Sequence, residues 1–314
     1  MSFPGSVMDE NHYSKKISES LGIRLKTVTS EKSKMALELE KVCYLFEDIQ
    51  EVNPLPHYFL YQNIKSNGFS VSLDGHGGDE LFCGYESSIL NAIPENIFDL
   101  NKINYIYKIY CDIHPKNKYF KKMNLIQICN YLLKNNIKLN LKNNLDKDMQ
   151  GFFSNLNSLS KHLFVLTFET VLPTLLRNYD RYSMMSGVEI RMPLLDYRIV
   201  EFAFSLPWQS KLKDGYSKSI LREQIKDSIP RNIVYKKSKI GFSPPIQEWF
   251  KGPLKEYFLD EINSNKFKNS NLINSKVLKR KINKVIFSDI NYMHYGVESI
   301  WKEFSIYLWE KIFL

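Results

Sequence analysis

The sequence predicts an α/β fold built on a parallel sheet, followed by a large helical part. Helical and strand-like stretches alternate over residues 1–73, a glycine-rich loop separates a strand from a helix, and much of the remainder has a loosely helical spacing. Parallel sheets bind ligands beyond the carboxyl ends of their strands, and the glycine-rich loop falls at such an end. With 314 residues, 44% hydrophobic and 25% charged, the chain can bury a large core.

Caps and breakers set the boundaries of the elements. The predicted order is a helix from Asp9 to Leu21, a strand from Ile23 to Val28, a helix from Lys32 to Phe46, a helix from Tyr58 to Lys65 after a break at Pro54 and Pro56, and a buried strand from Phe69 to Leu73. Residues 90–166 indicate helical packing with no assignable chemistry. The last stretch, residues 295–313, is predicted to be a helix that packs its aromatic side chains into the core.

Residues 71–85, VSLDGHGGDELFCGY, contain the glycine-rich loop. Gly75, Gly77 and Gly78 let the backbone turn sharply and approach a ligand, and the free N–H groups of the following helix favour an anion such as phosphate. Asp79 suits Mg²⁺ bound to those phosphates, because Mg²⁺ takes a few carboxylate oxygens together with phosphate and water. The alternative is a glycine-rich turn with two solvated acids, Asp79 and Glu80, at a helix N-terminus.

Composition argues against several classes of protein. No apolar run reaches the roughly 18 residues of a membrane span and no signal peptide is recognisable, so we expect a cytoplasmic protein without a membrane partner. The net charge of +9 comes from lysines dispersed among asparagines, which favours a solvated surface over nucleic-acid binding. The four cysteines have no metal-binding spacing, and we expect buried or surface thiols.

A second dense region covers residues 172–196. Its charged residues alternate with large apolar ones, so we expect several of them to be buried and paired with one another. One interpretation is an ion-pair network that joins two helices and a turn. The other is a pocket for a charged substrate that includes Asp180 and Glu189, with the guanidinium of Arg181 or Arg191 as a two-pronged clamp for a carboxylate.

A third dense region covers residues 206–249. Lys239 precedes a Gly-Phe turn, where a lysine is a compact positive charge that can meet a negatively charged ligand. The alternative is one more exposed lysine in the basic run of Lys236, Lys237 and Lys239. Lys218 and Arg222 are four residues apart on one helical face, so they either reach the same phosphates or are both solvated.

The order of these residues resembles the asparagine synthetase family. Residues 73–85 are similar to its signature L-S-G-E-G-G-D-E-L-F-G-G-Y. Asp180, Arg181, Glu189 and Arg191 match its block L-P-x-x-L-L-x-x-x-D-R-x-S-M-x-x-S-x-E-x-R-x-P-x-L-D, and the stretch around Lys239 resembles its closing basic block. The resemblance is strong in these three regions and weaker over the rest of the chain.

The resemblance implies a parallel-sheet ATP-pyrophosphatase fold of the adenine nucleotide alpha hydrolase type. It implies one partial domain over residues 1–314, with an α/β nucleotide-binding part in residues 1–90 and a mainly helical part in residues 91–314 that contributes substrate and phosphate contacts. Such enzymes use ATP and Mg²⁺ to activate a carboxylate, such as that of aspartate, as an acyl-adenylate, which ammonia then attacks. By position, His76 lies at the reacting centre, Lys239 meets the departing charge and Asp79 meets magnesium pyrophosphate. The remaining implied ATP and pyrophosphate contacts are Asp74, Gly75, Gly77, Gly78, Glu80, Lys218 and Arg222.

The sequence also departs from the family pattern. Neither a glutaminase domain nor the pyrophosphate loop S-G-G-x-D-S-S occurs in the 314 residues, so we expect an N-terminally truncated domain that lacks its first strand and that loop. Without that first strand, the neighbouring strand of the sheet would have an unpaired edge. His76 replaces an acid; it can move a proton near neutral pH but cannot attract ammonium as a carboxylate does. Asp74 replaces serine and Cys83 replaces glycine.

Three hypotheses follow from the matches and the departures. The first is a family enzyme, the synthetase half of an ATP-dependent amidotransferase that acts on aspartate or another carboxylate. The second is a subunit that needs a partner polypeptide to supply the pyrophosphate loop and a glutaminase. The third is a non-catalytic remnant or binding module.

Overall fold

The computed structural model describes residues 1–6, 8–113, 123–140, 147–237, 242, 244–288 and 294–314. This part of the chain is mostly helical, with very short strands. The helices are α1 Asn11–Leu21, α2 Met35–Phe46, α3 Leu55–Ser66, α4 Gly78–Phe82, α5 Glu86–Leu90, α6 Leu100–Ile113, α7 Leu125–Asn140, α8 Lys147–Asn155, α9 Ser158–Phe168, α10 Val171–Met184, α11 Tyr197–Ser205, α12 Trp208–Lys211, α13 Ser219–Ile225, α14 Arg231–Val234, α15 Ile246–Lys251, α16 Lys255–Asn263, α17 Asn265–Lys268, α18 Ser275–Phe287 and α19 His294–Phe313. The strands are β1 Val71–Leu73, β2 Glu189–Arg191, β3 Leu212–Lys213 and β4 Tyr216–Ser217, and 3₁₀ turns cover Pro94–Asn96 and Pro193–Leu195.

Strands β1 and β2 form a two-stranded parallel sheet in which Val71 pairs with Glu189 and Leu73 with Arg191. The α/β class with a parallel sheet is therefore confirmed, although the sheet is small. Its second strand was not predicted, because three residues that alternate charged, apolar, charged give too short a signal. Strands β3 and β4 form a separate antiparallel pair.

The predicted strand over residues 23–28 is wrong for the described structure. That stretch forms no strand, and the nearest pairing is an isolated parallel bridge between Ser2 and Thr29. Ile23 and Leu25 are exposed. A strand needs a neighbour along its length to satisfy its backbone groups, whereas here Ser2 donates one hydrogen bond of 2.8 Å to the carbonyl oxygen of Val28, at the end of the stretch.

Strand β1 is also more exposed than predicted. Leu73 is 73% exposed and Val71 is 39% exposed, although the apolar run suggested a buried strand. Both lie on the same face of the sheet, because side chains of a strand alternate between faces. No described element covers that face, which explains the exposure.

The first three predicted helices are confirmed with shifted starts. Helix α1 ends at Gly22, which has a φ of 63° and caps the helix in the left-handed conformation. Helix α3 starts at Leu55, three residues earlier than predicted. Pro56 does not break it, because the first turn of a helix has no N–H partner to lose.

The largest core is formed by helices α2, α3, α15, α16, α18 and α19. The predicted C-terminal core helix is confirmed, since Trp301 is 1% and Phe304 0% exposed. Phe250 stacks on Phe258 with ring centroids 3.8 Å apart. A second core lies among the helices of residues 86–166, as the helical spacing there predicted.

The four cysteines are free thiols, as predicted, and Cys43 and Cys83 are buried. One helical stretch, Ser158–Met184, is long and apolar enough to cross a membrane by length and composition, with a mean hydropathy of 1.2. A core helix of a soluble protein meets the same criterion, so one such helix is weak evidence for a membrane span.

Candidate functional site

The glycine-rich loop joins the end of β1 to the start of α4, as predicted. Gly77 has a φ of 92°, and a Cβ at this position would collide with Cδ2 of Leu195. Glycine is therefore required at this turn both by its backbone conformation and by its close neighbour. Gly75 is different, because a Cβ there would meet no atom within 4 Å. The backbone at Gly75 is thus open to an approaching ligand.

Asp79 stands in the first turn of α4 and is paired with a lysine from a distant part of the chain. Its Oδ1 lies 2.9 Å from Nζ of Lys218, and both side chains are partly buried. Lys218 precedes α13 in a left-handed conformation, with a φ of 54°, so the prediction that it shares a helical face with Arg222 is wrong. Gly84 leaves room for the carboxylate, because a Cβ there would lie 2.6 Å from Cγ of Asp79. The fold therefore brings two of the predicted phosphate contacts together.

Glu80 is turned into the protein interior. It is 2% exposed, and the hydroxyl of Tyr85 donates a hydrogen bond of 2.5 Å to its Oε1. Burial, and next this hydrogen bond, raise the pKa of Tyr85, which keeps the phenol protonated as the donor. The geometry thus gives Glu80 a partner inside the protein instead of an open ligand position.

Asp74 and His76 form a close pair within the loop. Nδ1 of His76 lies 2.8 Å from Oδ1 of Asp74, and the imidazole packs edge-on against Tyr179 with ring centroids 4.2 Å apart. Burial opposes ionisation of Asp74, but the hydrogen bond from His76, its charge, and the N–H groups of Gly75 and His76 outweigh burial and lower the pKa of Asp74. Asp74 is therefore held as a carboxylate beside an oriented imidazole.

His57, on α3, was missed by sequence reasoning. It is 3% exposed and stacks on Tyr182 with ring centroids 4.1 Å apart, while its ring also contacts Phe242 at 4.8 Å. Neither ring nitrogen has a hydrogen-bond partner among the described residues. Burial, with a further effect of His76, lowers the pKa of His57 to about 3, so the ring is neutral. A histidine within an apolar helical run was the only available signal.

We expect His57 to make the protein sensitive to acid. Its pKa is about 6.5 in the unfolded chain and about 3 when folded, so below pH 6.5 the unfolded state binds a proton that the folded state does not. Stability is then lost as the pH falls, by about 2 kcal/mol between pH ~7 and ~5 from this group. His57→Phe should remove that share of the pH dependence of the urea midpoint, and the exposed His12→Gln is the matched control. An unchanged dependence in His57→Phe would contradict the assignment.

The predicted buried network of residues 172–196 is wrong. Glu189 and Arg191 do pair, at 2.7 Å, but their side chains are 57% and 61% exposed. They are two residues apart on β2 and so share its outer face. Asp180 is exposed, while the guanidinium of Arg181 donates a 2.5 Å hydrogen bond to the carbonyl oxygen of Phe46. The N–H of Asp74 donates to the carbonyl oxygen of Arg191 at 2.9 Å, so the start of the loop lies beside Arg191.

Two further predicted residues, Arg222 and Lys239, differ in what the structure shows of them. Arg222 is directed at backbone carbonyl oxygens, with its Nε 2.7 Å from that of Ser217. Lys239 lies outside the described residues. In the described part of the chain, no cluster of three or more acidic, histidine or cysteine side chains has a metal-binding arrangement.

An open glycine loop at the carboxyl end of a parallel strand, followed by an acid and a lysine, is typical of α/β proteins. A family model described as asparagine synthase matches residues 2–293. The chain belongs to the asparagine synthase family.

The curated relatives are longer than this chain. An asparagine synthetase [glutamine-hydrolyzing] 3 of Bacillus subtilis (strain 168) is 26% identical over 253 residues, which are 77% of this chain and 39% of the relative. Amidase chry2 of Gibberella zeae is 22% identical, over 80% of this chain and 43% of its own length. The human asparagine synthetase [glutamine-hydrolyzing] is 39% identical over 85 residues, 25% of this chain and 15% of its own. The chain thus corresponds to about two fifths of the first two relatives.

Proposed function

We propose that this chain is the synthetase part of an ATP-dependent, amide-forming ligase. It would activate a small carboxylate, aspartate or a related acid, with magnesium ATP and pass the acyl group to ammonia. In the first step a carboxylate oxygen attacks the α-phosphorus and pyrophosphate leaves. In the second step the nitrogen attacks the acyl carbon, the C–N bond forms, AMP departs and the nitrogen loses a proton. We further propose that this takes place in the cytoplasm.

The observation that carries the proposal is the pair of Asp79 and Lys218 at the end of the glycine loop. A carboxylate suits magnesium bound to pyrophosphate, and a lysine 2.9 Å away suits the phosphate oxygens themselves. Gly84 leaves space for the carboxylate, and the backbone at Gly75 is open. These residues fit magnesium and polyphosphate, which supports Asp79, Gly75, Gly77 and Gly78 as the phosphate-binding part.

The acceptor would lie on the other side of the loop, near His76. The carboxylate of Asp74 lies 2.8 Å from Nδ1 of His76, and we propose that Nε2 is the nitrogen that meets the substrate. Arg191 is the better candidate clamp for the acceptor carboxylate, because it is exposed beside the loop whereas Arg181 is bound to a carbonyl oxygen. Glu189 would orient Arg191. Lys239 is proposed from the family resemblance as the group that meets the departing pyrophosphate.

Exchange of labelled pyrophosphate into ATP tests this function directly, because it reports carboxylate activation without any need for the nitrogen donor. We expect exchange that depends on Mg²⁺ and on one member of a panel of small carboxylic acids, with aspartate as the first. Omission of the acid is the control. Absence of exchange and of AMP formation with the whole panel would count against the proposal.

A second candidate, a subunit that needs a partner polypeptide, is favoured by the free edge of β1. This strand is paired on one side only in the described sheet, and its outer face exposes Val71 and Leu73. A cavity of about 460 Å³ lies nearby, lined by Val28, Thr29, Glu31, Phe59, Gln62, Asn63, Lys65, Ser66 and Ser186. A strand from a partner could pair with the free edge and bring a pyrophosphate loop to the site.

The partner hypothesis is tested by purifying the chain from its own cells at low salt. We expect a stoichiometric second polypeptide that carries S-G-G-x-D-S-S and that restores or increases pyrophosphate exchange. Leu73→Lys should abolish the association, because it places a charge on the exposed sheet face. Full exchange activity in a pure monomer would exclude the need for a partner.

A further inference from the structure

The guanidinium of Arg222 donates to three carbonyl oxygens and so joins two segments of backbone. Its Nε donates to the carbonyl oxygen of Ser217 at 2.7 Å, and its Nη1 donates to the carbonyl oxygens of Val234 and of Lys236, the latter at 3.2 Å. The group also lies 5.5 Å from the ring centre of Tyr216. Val234 is the last residue of α14, so Arg222 supplies a donor to a helix end whose carbonyl groups lack partners within the helix.

These hydrogen bonds occupy both edges of the guanidinium that could otherwise bind a phosphate through two hydrogen bonds. An arginine binds phosphate in bidentate fashion through Nη1 and Nη2 or through Nε and Nη2. Because Nε and Nη1 both donate to backbone oxygens, each edge has one donor already in use. The side chain therefore holds backbone segments together and is not arranged to bind a phosphate through two hydrogen bonds. We call this arrangement the Arg222 clamp.

The Arg222 clamp is linked to the candidate site by the peptide bond between Ser217 and Lys218. Ser217, whose carbonyl oxygen accepts from Arg222, directly precedes Lys218, which contacts Asp79. On its other side the guanidinium holds Lys236, the first lysine of the basic run. Lys236 in turn contacts Glu10 at 2.7 Å, and Lys237 contacts Asp112 at 2.6 Å. Arg222 thus fixes Lys218 relative to the start of the basic run.

We propose that Arg222 is a positioning residue that acts on the phosphate site through Lys218 and does not bind phosphate itself. The assignment to that site rests on the proposed function, whereas the clamp is a property of the fold. Two experiments separate these statements, and both use the whole chain.

The first experiment is limited proteolysis with trypsin, read by mass spectrometry. Arg222→Met removes all donors but keeps an apolar side chain, so we expect cleavage after Lys236 and Lys237 to become about tenfold faster, with cleavage after Lys276 unchanged. Arg231→Met, an exposed arginine at the start of α14, is the matched control. Unchanged cleavage after Lys236, or an equal increase at every site, would overturn the clamp.

The second experiment is a double-mutant cycle on pyrophosphate exchange. If Arg222 acts through Lys218, Arg222→Met should lower the rate about tenfold with the KM for ATP changed less than about threefold. In a Lys218→Ala background, Arg222→Met should have almost no further effect. Arg222→Lys should recover little, because one ammonium group cannot reach three carbonyl oxygens.

The outcomes distinguish the two levels of the proposal. Additive effects, or a large increase in the KM for ATP, would mean that Arg222 binds phosphate itself and would overturn the positioning role. A wild-type chain without exchange on any acid would remove the proposed function and with it the role toward phosphate. The cleavage pattern would still decide whether Arg222 holds the basic run.

Discussion

Gly77→Ala is expected to lower the free energy of unfolding by about 3 kcal/mol, measured by urea denaturation. Two effects add at this position. A left-handed φ of 92° is unfavourable for any residue with a Cβ, by about 1 kcal/mol. The new methyl group would also collide with Leu195, and overpacking of this kind costs about 1 to 3 kcal/mol.

Other glycines of the chain separate the two effects. Gly68 has a φ of 86° and no atom within 4 Å of a Cβ, so Gly68→Ala should cost only about 1 kcal/mol. Gly75 has free space and no left-handed φ, so Gly75→Ala should change stability by less than about 0.5 kcal/mol. Gly77→Ala should be less harmful in a Leu195→Ala background. Equal losses for Gly68→Ala and Gly77→Ala would show that the contact with Leu195 does not matter.

The sequence was most informative where function constrains consecutive residues. The loop from Asp74 to Asp79 was located, with its strand and helix, because glycines and acids at fixed spacing report local backbone geometry. The contact between Asp79 and Lys218 was not predicted; the sequence indicated only that Lys218 and Arg222 could reach the same phosphates. Spacing of four residues could not decide that Lys218 turns to Asp79 while Arg222 turns to carbonyl oxygens, because that depends on where distant segments pack.

The errors have related physical causes. Glu80 was predicted to contact ATP or pyrophosphate but is buried. Successive side chains of a helix point in directions about 100° apart, so Glu80 can be buried while the adjacent Asp79 faces Lys218. Glu189 and Arg191 were expected to be buried because Ile190 between them is apolar, yet strand alternation places both charges outside. Residues with strand propensity formed no strand at positions 23–28, since strand formation requires a neighbour that propensity cannot provide.

Asp79→Asn is expected to reduce pyrophosphate exchange by about 100-fold or more, while the free energy of unfolding changes by less than about 1 kcal/mol. The substitution keeps the size of the side chain and removes the charge that suits Mg²⁺. Stability should change little, because a partly exposed ion pair such as Asp79 with Lys218 contributes little. Glu51→Gln, which breaks an exposed pair with Lys302, is the matched control for loss of one negative charge.

Calorimetric measurement of pyrophosphate binding tests the role of Asp79 more specifically. The carboxylate of Asp79 favours the metal ion, whereas the ammonium group of Lys218 favours the phosphate oxygens. Without its carboxylate neighbour, Lys218 presents an uncompensated positive charge to the loop. Asp79→Asn should therefore bind free pyrophosphate as tightly as the wild type or up to about tenfold more tightly, and bind magnesium pyrophosphate about tenfold more weakly. A parallel loss for both ligands would mean that Asp79 shapes the loop instead of meeting the metal. No change for either would place the phosphates elsewhere and remove the observation on which the proposed function depends.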